Sequence, residues 1–297
     1  MTGAPHTPDT QDEARARAAM LLEALPYIQR FRGRTVVVKF GGNAMVDEDL
    51  TATFAADIVL MHSVGIRPVV VHGGGPQISA LMERLGKVPE FVDGQRVTDA
   101  ETVDIARMVL MGKVNRELVG AINLHGPLAV GLSGEDAGLI RAGARDPKLG
   151  FVGDVRSVNP TILERLLAEE LIPVVSTIGA DAEGQAYNIN ADVVAGALAV
   201  ALGAEKLIYL TDVPGLLEKV DDASSLISHI GAAALQGMVD SGALSGGMIP
   251  KISACLDAVA GGVSSAHLLD GRLPHVVLLE LFSDAGVGTM ITREAPR

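Results

Sequence analysis

Short apolar runs alternate with amphipathic stretches along most of the chain. Thr35–Phe40 is a β-branched apolar run typical of a buried strand, and residues 47–65 have the polar spacing of a helix. The same alternation recurs as far as residue 292. Repetition of this kind predicts an α/β fold with a mainly parallel sheet and right-handed crossovers. Further strands are predicted at 67–72, 128–132, 172–177, 206–211, 275–279 and 288–292, and further helices at 76–86, 98–112, 159–170, 191–203 and 250–261.

Two stretches interrupt this alternation, residues 87–97 and 139–158. Both are rich in Gly, Asp and Arg and lack the apolar periodicity of a long helix. We expect them to form hairpins or lids over a site. No internal repeat, low-complexity tract or clean interdomain linker is visible.

An amphipathic segment precedes the first predicted strand. Residues 10–13 have the form of a capping box. The helix predicted to follow has one apolar face, and Pro26 is expected to kink it. This face either folds back on its own domain or docks on another subunit. Its residues are Leu21, Ala24, Leu25, Ile28 and Phe31.

Composition and charge narrow the range of functions. Hydrophobic residues make up 48% of the chain but aromatic residues only 3%, so the core must consist of Val, Leu, Ile and Ala, as in parallel strands buried on both faces. The net charge of -12 makes nucleic acid an unfavourable partner and requires that any anionic substrate be bound by a few local cations. The single cysteine, Cys255, excludes a disulfide framework and a Cys-rich metal site.

The chain shows no export signal, because its first residues are polar and mixed in charge. The longest uncharged apolar run, residues 193–204, is too short for a bilayer span of about 20 residues. We therefore expect a cytoplasmic protein.

Glycine turns follow the first two long strands. Lys39 is followed by Gly41 and Gly42, and the strand at 67–72 is followed by three consecutive glycines, residues 73–75, directly before a helix. Such turns let backbone N–H groups converge on an anion at a helix N-terminus. A strand-end lysine and an ordinary turn are the alternative interpretation. Neither turn matches a P-loop or a G-x-G-x-x-G fingerprint.

Polar residues also cluster before the helix predicted at 191–203. Asn188, Asn190 and Asp192 alternate before this very apolar segment. Asn190 is a suitable helix cap, but three polar side chains are more than a cap requires.

Two cations stand in unusual places. Arg96 lies between an irregular stretch and a helix start, where its guanidinium could bind a carboxylate through two parallel hydrogen bonds; pairing with Asp93 or Asp99 at the surface is the alternative. Lys251 lies in the first turn of a helix, where a cation opposes the macrodipole by about 0.3–1 kcal/mol. An anion between Lys251 and the helix N-terminus would remove this conflict.

Six ordered motifs together resemble the amino-acid kinase family. Within that family, the resemblance is to the arginine-sensitive members that carry an N-terminal helix and phosphorylate N-acetyl-L-glutamate. It spans most of residues 35–292 and implies a three-layer αβα sandwich around a mainly parallel sheet of about eight strands. The motifs are VVVKFGGNAM, VVVHGGGPQI, FVDGQRVTD, YNINADVVAGALA, LIYLTDVPGL and GGMIPKISACLDA.

The resemblance implies a division of labour along the chain. Residues 1–32 would be an extension for oligomerisation and regulation, residues 33–180 a lobe for the acyl amino acid and dimerisation, and residues 181–297 a lobe for ATP and an arginine effector. Lys39 and Lys251 would stabilise the transferring phosphoryl group, and Asp192 would orient both lysines. N-acetylglutamate would contact Gly74, Gly75, Arg96 and Asn188, and ATP with Mg²⁺ would contact Gly41, Gly42, Thr211, Asp212, Val213, Pro214, Gly215 and Leu216. No metal site built from protein ligands is expected.

The resemblance also implies regulation and assembly. Tyr27, His267, Glu280 and Gly286 would hold L-arginine as a feedback inhibitor, although Glu280 is also readable as an ordinary strand-end carboxylate. The protein would be a homodimer or a homohexamer; binding of a PII-type signalling protein is not predicted. The alternatives are another phosphotransferase of the family, acting on a carboxylate, a carbamate or a nucleotide phosphate, and a non-catalytic arginine sensor.

Overall fold

The computed structural model describes residues 11–45, 47–92, 94–219, 222–242, 244, 247–283 and 286–294. Its helices are α1 (Gln11–Phe31), α2 (Glu48–Ser63), α3 (Gly75–Arg84), α4 (Ala100–Val109), α5 (Asn115–Asn123), α6 (Thr161–Ala168), α7 (Ala191–Ala201), α8 (Ala232–Asp240), α9 (Met248–Ala260) and α10 (Val276–Phe282). Its strands are β1 (Thr35–Phe40), β2 (Arg67–His72), β3 (Phe91–Val92), β4 (Gln95–Arg96), β5 (Ala129–Ser133), β6 (Ile140–Ala144), β7 (Val152–Val158), β8 (Ile172–Ser176), β9 (Ile178–Ala180), β10 (Ala186–Ile189), β11 (Lys206–Thr211), β12 (His229–Gly231), β13 (Ser265–Asp270) and β14 (Thr289–Thr292).

An eight-stranded sheet forms the centre of the molecule, in the order β12-β14-β13-β11-β1-β2-β8-β5. All neighbouring pairs are parallel except β13 and β14, which are antiparallel. The prediction of a mainly parallel sheet of about eight strands is therefore confirmed. Since β1 lies in the interior of this sheet, the turn that follows it emerges near the middle of the strand ends.

Side chains of the sheet alternate between two separate cores. Val36 and Val38 of β1 belong to one apolar cluster and Val37 to the other, as the period of a strand requires. The first core includes residues of α1 to α5 and α10, and the second includes residues of α6 to α9. Helices thus cover both faces, which confirms the three-layer αβα sandwich.

The two irregular stretches contain hairpins, as expected. Residues 139–158 contain β6 and β7, which pair antiparallel and form a second small sheet with β9 and β10. Residues 87–97 contain the short antiparallel pair β3 and β4, and Asp93 between them lies outside the described residues. The N-terminus of α7 directly follows β10, so the second sheet borders that helix end.

Two predicted elements differ from those in the structure. The run at 275–279 forms the start of α10 and not a strand, because its buried residues Val276, Val277 and Leu281 have helical spacing while Leu279 faces solvent. The helix predicted at 98–112 continues through a π-helical turn, Leu110–Val114, into α5. Its N-cap is Asp99, whose carboxylate accepts from the N–H of Thr102 at 2.8 Å.

Helix α1 runs unbroken through Pro26. Its predicted apolar face divides: Phe31 is buried in the core, whereas Leu21 and Leu25 are 76% and 44% exposed. Thr10 of the predicted capping box lies outside the described residues.

In the described part of the chain, no helix combines the length and apolar character needed to cross a membrane.

Candidate active site

Asp192 lies between two lysines that come from distant parts of the chain. Nζ of Lys39, near the end of β1, is 3.1 Å from Oδ1 of Asp192 in the first turn of α7. Nζ of Lys251, in the first turn of α9, donates to Oδ2 of Asp192 at 2.6 Å. The side chains of Lys39 and Asp192 are almost fully buried, and that of Lys251 is 23% exposed. One carboxylate therefore holds two ammonium groups at one place.

Burial and charge act in opposite directions at this cluster. Burial lowers the pKa of Lys39, and nearby Lys251 adds to this effect while Asp192 opposes it. Burial alone would raise the pKa of Asp192, but the two ammonium groups outweigh it and hold the pKa below its usual value. Asp192 is therefore ionised at neutral pH and pairs with both ammonium groups.

Two further contacts fix Asp192. Oδ1 of Asn190 accepts from the N–H of Asp192 at 2.7 Å, which caps α7. The buried hydroxyl of Tyr209, on β11, donates to the backbone oxygen of Asp192 at 2.9 Å. The first turn of α7 is thus held from the strand beneath it and from its own cap.

The turn after β1 brings backbone close to Lys39. A Cβ atom placed on Gly41 would lie 2.6 Å from Nζ of Lys39. Gly42 has φ +71°, and a Cβ atom there would lie 2.7 Å from the Asp212 carboxylate. Side chains at either position would therefore strain the turn or displace these charged groups.

A cavity of about 300 Å³ is lined by all four predicted acyl-substrate residues and by two residues of the charged cluster. Phe91 of β3 and Ile189 of β10 also line it. The β3–β4 hairpin therefore covers a space that reaches the Lys39–Asp192 pair. The predicted site residues that line this cavity are Lys39, Gly74, Gly75, Arg96, Asn188 and Asp192.

Arg96 is held inside the protein and not at the surface. Its Nη2 donates to the carbonyl oxygen of Gly75 at 3.0 Å and to Oγ of Ser79 at 2.8 Å, and its guanidinium lies 4.7 Å from the ring centre of Phe91. Burial lowers its pKa. Pairing with Asp99 is wrong, because Nζ of Lys87 contacts Asp99 instead; Asp93 lies outside the described residues.

The predicted nucleotide segment, residues 211–216, follows the end of β11. Oγ1 of Thr211 donates to the carbonyl oxygen of Val213 at 2.7 Å, and the N–H of Leu216 donates to Oγ1 of Thr289 at 2.8 Å. Gly215 has φ +147°. The Asp212 carboxylate lies close to Gly42, since a Cβ atom placed there would be 2.7 Å from it. Val213 is exposed, as is Asp212, while Pro214 is half-buried.

A larger cavity of about 1190 Å³ also adjoins the cluster. It is lined by residues of β7, α7 and α9, including Lys251, and shares Asp192 with the smaller cavity. Neither of these two cavities is lined by residues 211–216. The three catalytic candidates thus lie at the junction of two spaces.

Three predicted effector residues, His267, Glu280 and Gly286, lie close together. Nδ1 of the fully buried His267 donates to Oε1 of Glu280 at 2.8 Å. Oε2 of Glu280 accepts from the N–H of Val287 at 3.2 Å, and a Cβ atom on Gly286 would lie 3.8 Å from it. Glu280 lies on α10, so the interpretation as a strand-end carboxylate is wrong.

Lys206 is a member of this cluster that sequence reasoning missed. Its Nζ donates to Nε2 of His267 at 2.8 Å and lies 5.4 Å from the ring centre of Phe31. Burial lowers its pKa to about 8, although Glu280 acts in the opposite direction. Tyr27 packs on the apolar core from α1, which also contacts α10. The sequence signal for Lys206 is a charged residue at the start of an apolar strand. Lys39 gives the same kind of signal near the end of β1.

Sequence comparison finds relatives that match nearly the whole chain. The chain is 53% identical to an acetylglutamate kinase of Halorhodospira halophila, over 97% of this chain and 99% of that protein. It is 55% identical to an acetylglutamate kinase of Saccharopolyspora erythraea, over 95% of each.

Solved structures show the same architecture. An N-acetylglutamate synthase from Neisseria gonorrhoeae, complexed with coenzyme A and N-acetylglutamate, superposes with a TM-score of 0.82 at 28% identity; 94% of this chain matches 64% of that one. A carbamate kinase from Giardia lamblia bound to AMP-PNP superposes with a TM-score of 0.66 at 17% identity and supports the fold alone. A family model, that of the amino acid kinase family, matches residues 34–270. With relatives above 50% identity over nearly its whole length, the chain belongs to the amino acid kinase family.

Proposed function

We propose that this protein transfers the γ-phosphoryl group of ATP to the side-chain carboxylate of N-acetyl-L-glutamate, which yields N-acetylglutamyl 5-phosphate. The observation that carries the proposal is the bridge from Asp192 to Lys39 and Lys251 beside a cavity lined by Arg96 and the glycine turn of residues 73–75. The acetylglutamate kinases at 53% and 55% identity support the choice of substrate.

The reaction needs no general base. The nucleophile is a carboxylate with an ordinary pKa of about 4.3, so it is already ionised at neutral pH. The lowered pKa of Asp192 agrees with this, because a carboxylate of low pKa is a weak base. The catalytic task is to orient two reactants and to offset their charge.

Repulsion between the reactants is the main barrier that the site must lower. Two like charges about 4 Å apart repel by roughly 4 kcal/mol at an effective dielectric of about 20. Lys39 and Lys251 place two positive charges where the carboxylate and the phosphoryl group would meet. Preorganised cations and backbone N–H groups stabilise the transferring phosphoryl group without reorganisation during the reaction.

ATP and Mg²⁺ would bind to the site as one complex. No group of three or more His, Cys, Asp or Glu side chains that could hold a metal ion occurs among the residues the structure describes. Mg²⁺ in kinase sites is held mainly by substrate phosphates and one or two carboxylates, and the Asp212 carboxylate beside Gly42 fits that role. When bound, Mg²⁺ would neutralise phosphate charge. Residues 211–216 would border the adenosine, in a C-terminal lobe of residues 181–297.

The acyl substrate would occupy the smaller cavity in the N-terminal lobe, residues 33–180, at its junction with α7. Arg96 and Asn188 line that cavity together with Gly74 and Gly75. Arg96 would bind the α-carboxylate, because its guanidinium is already fixed by Gly75 and Ser79.

Regulation by L-arginine is part of the proposal. The His267–Glu280 pair beside Gly286 provides a buried carboxylate for a cation, and a solved N-acetylglutamate synthase from Neisseria gonorrhoeae is complexed with L-arginine. Tyr27 would contribute from α1.

The exposed apolar residues of α1, Met20, Leu21, Leu22 and Leu25, suit assembly of dimers into a hexamer.

One assay tests the proposed reaction. ADP release is measured with ATP, Mg²⁺ and either N-acetyl-L-glutamate, glutamate, aspartate, carbamate or UMP as the acceptor, and the acyl phosphate formed from a carboxylate is trapped with hydroxylamine. We expect hydroxamate with N-acetyl-L-glutamate and at least tenfold lower kcat/KM for the other acceptors. Transfer to another acceptor alone would support a different phosphotransferase of the family. Binding of arginine without any transfer would support a sensor.

A further inference from the structure

A buried polar network lies beneath the glycine turn that follows β2. The imidazole of His72, the last residue of β2, is fully buried. Its Nδ1 lies 2.9 Å from the carbonyl oxygen of Gly73, and its Nε2 lies 3.0 Å from Nδ2 of Asn115. The turn of residues 73–75 lines the smaller cavity, whereas His72 does not.

The neighbours of Asn115 fix the tautomer of His72. Nδ2 of Asn115 also donates to the carbonyl oxygen of Val174 at 2.9 Å, and a carbonyl can only accept. Oδ1 of Asn115 accepts from Nη2 of Arg116, which can only donate. The amide of Asn115 therefore has one orientation, and it donates to Nε2 of His72. The remaining proton of the neutral ring is on Nδ1 and is donated to Gly73.

The ring stays neutral in this environment. Burial lowers the pKa of His72 to about 4; the bond to Gly73 acts in the opposite direction, and the charge of Arg116 lowers the pKa further. The single Nδ1 proton is thus present at every pH at which the enzyme would work.

The bond to Gly73 sets the direction of the next N–H group. In a planar trans peptide, the carbonyl of Gly73 and the N–H of Gly74 point in opposite directions. We infer that His72, held by Asn115, is a positioning residue that turns the Gly73–Gly74 peptide so that the N–H of Gly74 points into the substrate cavity. The inference rests on the proposed function, since the cavity is assigned there to N-acetyl-L-glutamate.

The π-helical turn lies between Gly74, on which it packs, and Asn115, which directly follows it in the chain. A Cβ atom on Gly74 would lie 2.7 Å from Leu110 and 3.2 Å from Val114, which are the first and last residues of that turn. Asn115 follows Val114 directly. The extra residue of a π-helical turn shifts the register of the helix, and here it both packs against Gly74 and places Asn115 against His72.

Two substitutions of His72 with similar side-chain size distinguish the roles of Nδ1 and Nε2. His72→Asn places an amide N–H near the position of Nδ1 and retains the bond to Gly73. His72→Gln places its amide near Nε2 and loses that bond. We expect His72→Gln to raise the KM for N-acetyl-L-glutamate by about 10- to 100-fold, the cost of one hydrogen bond to a charged group. The KM for ATP should change less than about twofold.

His72→Asn should stay within about fivefold of the wild-type KM, since it keeps the donor. The same two substitutions at the exposed His125 serve as controls, and melting temperatures of all variants are measured alongside. Equal losses in His72→Asn and His72→Gln, an unchanged His72→Gln, or a parallel rise in the KM for ATP would overturn the inference.

A second measurement does not depend on turnover. In protein labelled with ¹⁵N-histidine, the His72 resonances are those lost in either variant. We expect the neutral tautomer protonated at Nδ1, with no titration between about pH 5.5 and 8. A ring protonated at Nε2, or one that titrates near its ordinary pKa of about 6.5, would contradict the inference. If the wild-type protein failed to phosphorylate N-acetyl-L-glutamate while this tautomer was observed, the proposed function alone would fail.

Discussion

Lys251 and Asp192 are separated by 59 positions in the chain, yet Nζ of the lysine donates to Oδ2 of the aspartate at 2.6 Å. This contact joins the first turns of α9 and α7, and it leaves the Lys251 side chain partly accessible to a ligand. The pair is therefore oriented in advance of any substrate, which is the property that electrostatic catalysis requires.

Removal of the Lys251 charge should abolish most of the activity. We expect Lys251→Ala to lower kcat by about 10²–10³-fold, because one preorganised contact to the transferring group is lost. The exposed Lys148→Ala is a matched control that should leave kcat unchanged. Circular dichroism establishes that both variants fold. Undiminished turnover of Lys251→Ala would remove the role assigned to this lysine.

The Gly42 turn offers a test of the nucleotide assignment. Gly42→Ala adds a side chain at φ +71°, 2.7 Å from the Asp212 carboxylate, and should raise the KM for ATP by at least about tenfold. Gly86→Ala has a similar backbone angle, φ +77°, with no atom within 4 Å. The backbone angle alone should cost each variant about 1–2 kcal/mol of unfolding free energy. An equal KM for ATP in the two variants would show that Gly42 does not contribute to nucleotide binding.

The buried Lys206 should make stability depend on pH in the alkaline range. Its pKa is about 8 in the folded protein and 10.5 ordinarily, so the unfolded chain binds more protons between these values and stability rises with pH. Relative to Lys206→Met, we expect the wild-type unfolding free energy to gain roughly 2–3 kcal/mol between about pH 7 and 10. Urea titrations at each pH measure it. If the unfolding free energies of the two proteins changed equally with pH, the pKa of Lys206 would not be lowered by folding.

Glu280 should be required for inhibition by arginine. Glu280→Gln removes the buried negative charge beside His267 and should raise the arginine concentration for half-inhibition by about 10- to 100-fold, with unchanged basal kcat. Glu164→Gln on α6 is an exposed control. If saturating arginine left the wild-type enzyme fully active, the regulatory proposal would be wrong, whatever the variant did.

The apolar residues of α1 should control assembly. Phe31 is packed in the core, so point changes are preferable to truncation. Leu21 and Leu22 are 76% and 68% exposed, and changing both to Glu should convert a hexamer to a dimer in light scattering. Gln29→Glu on the same helix is the control. A wild-type protein of dimeric mass, or a double variant that remains hexameric, would contradict this assignment.

The sequence predicted the parts of the fold in which one physical signal dominates. Thr35–Phe40 and Lys206–Thr211 form strands with the predicted bounds, because buried β-branched runs next to glycine or turn residues admit few other structures. The short run at 275–279 was ambiguous between strand and helix. Packing of α10 against α1 and α2 decided it, and no local pattern reports such contacts.

Within the site, Lys39, Lys251 and Asp192 were predicted together, whereas the contact between His72 and Asn115 was missed. Lys251 opposes the dipole of its own helix, and this conflict is visible in the sequence. His72 and Asn115 are ordinary residues of a strand and a helix, and their contact spans 43 positions. Only the tertiary structure, with its π-helical turn, brings them under the glycine turn.

The order of the sheet has a consequence for how the chain assembles during synthesis. β12 pairs in this sheet with β14 alone, although β13 and three helices separate the two strands along the chain. On the ribosome, β12 therefore emerges well before it has a neighbour, and β13 keeps an open edge until residues 289–292 arrive. We expect nascent chains stalled before β14 to leave this edge of the sheet unformed, while β1, β2 and β8 are already able to pair.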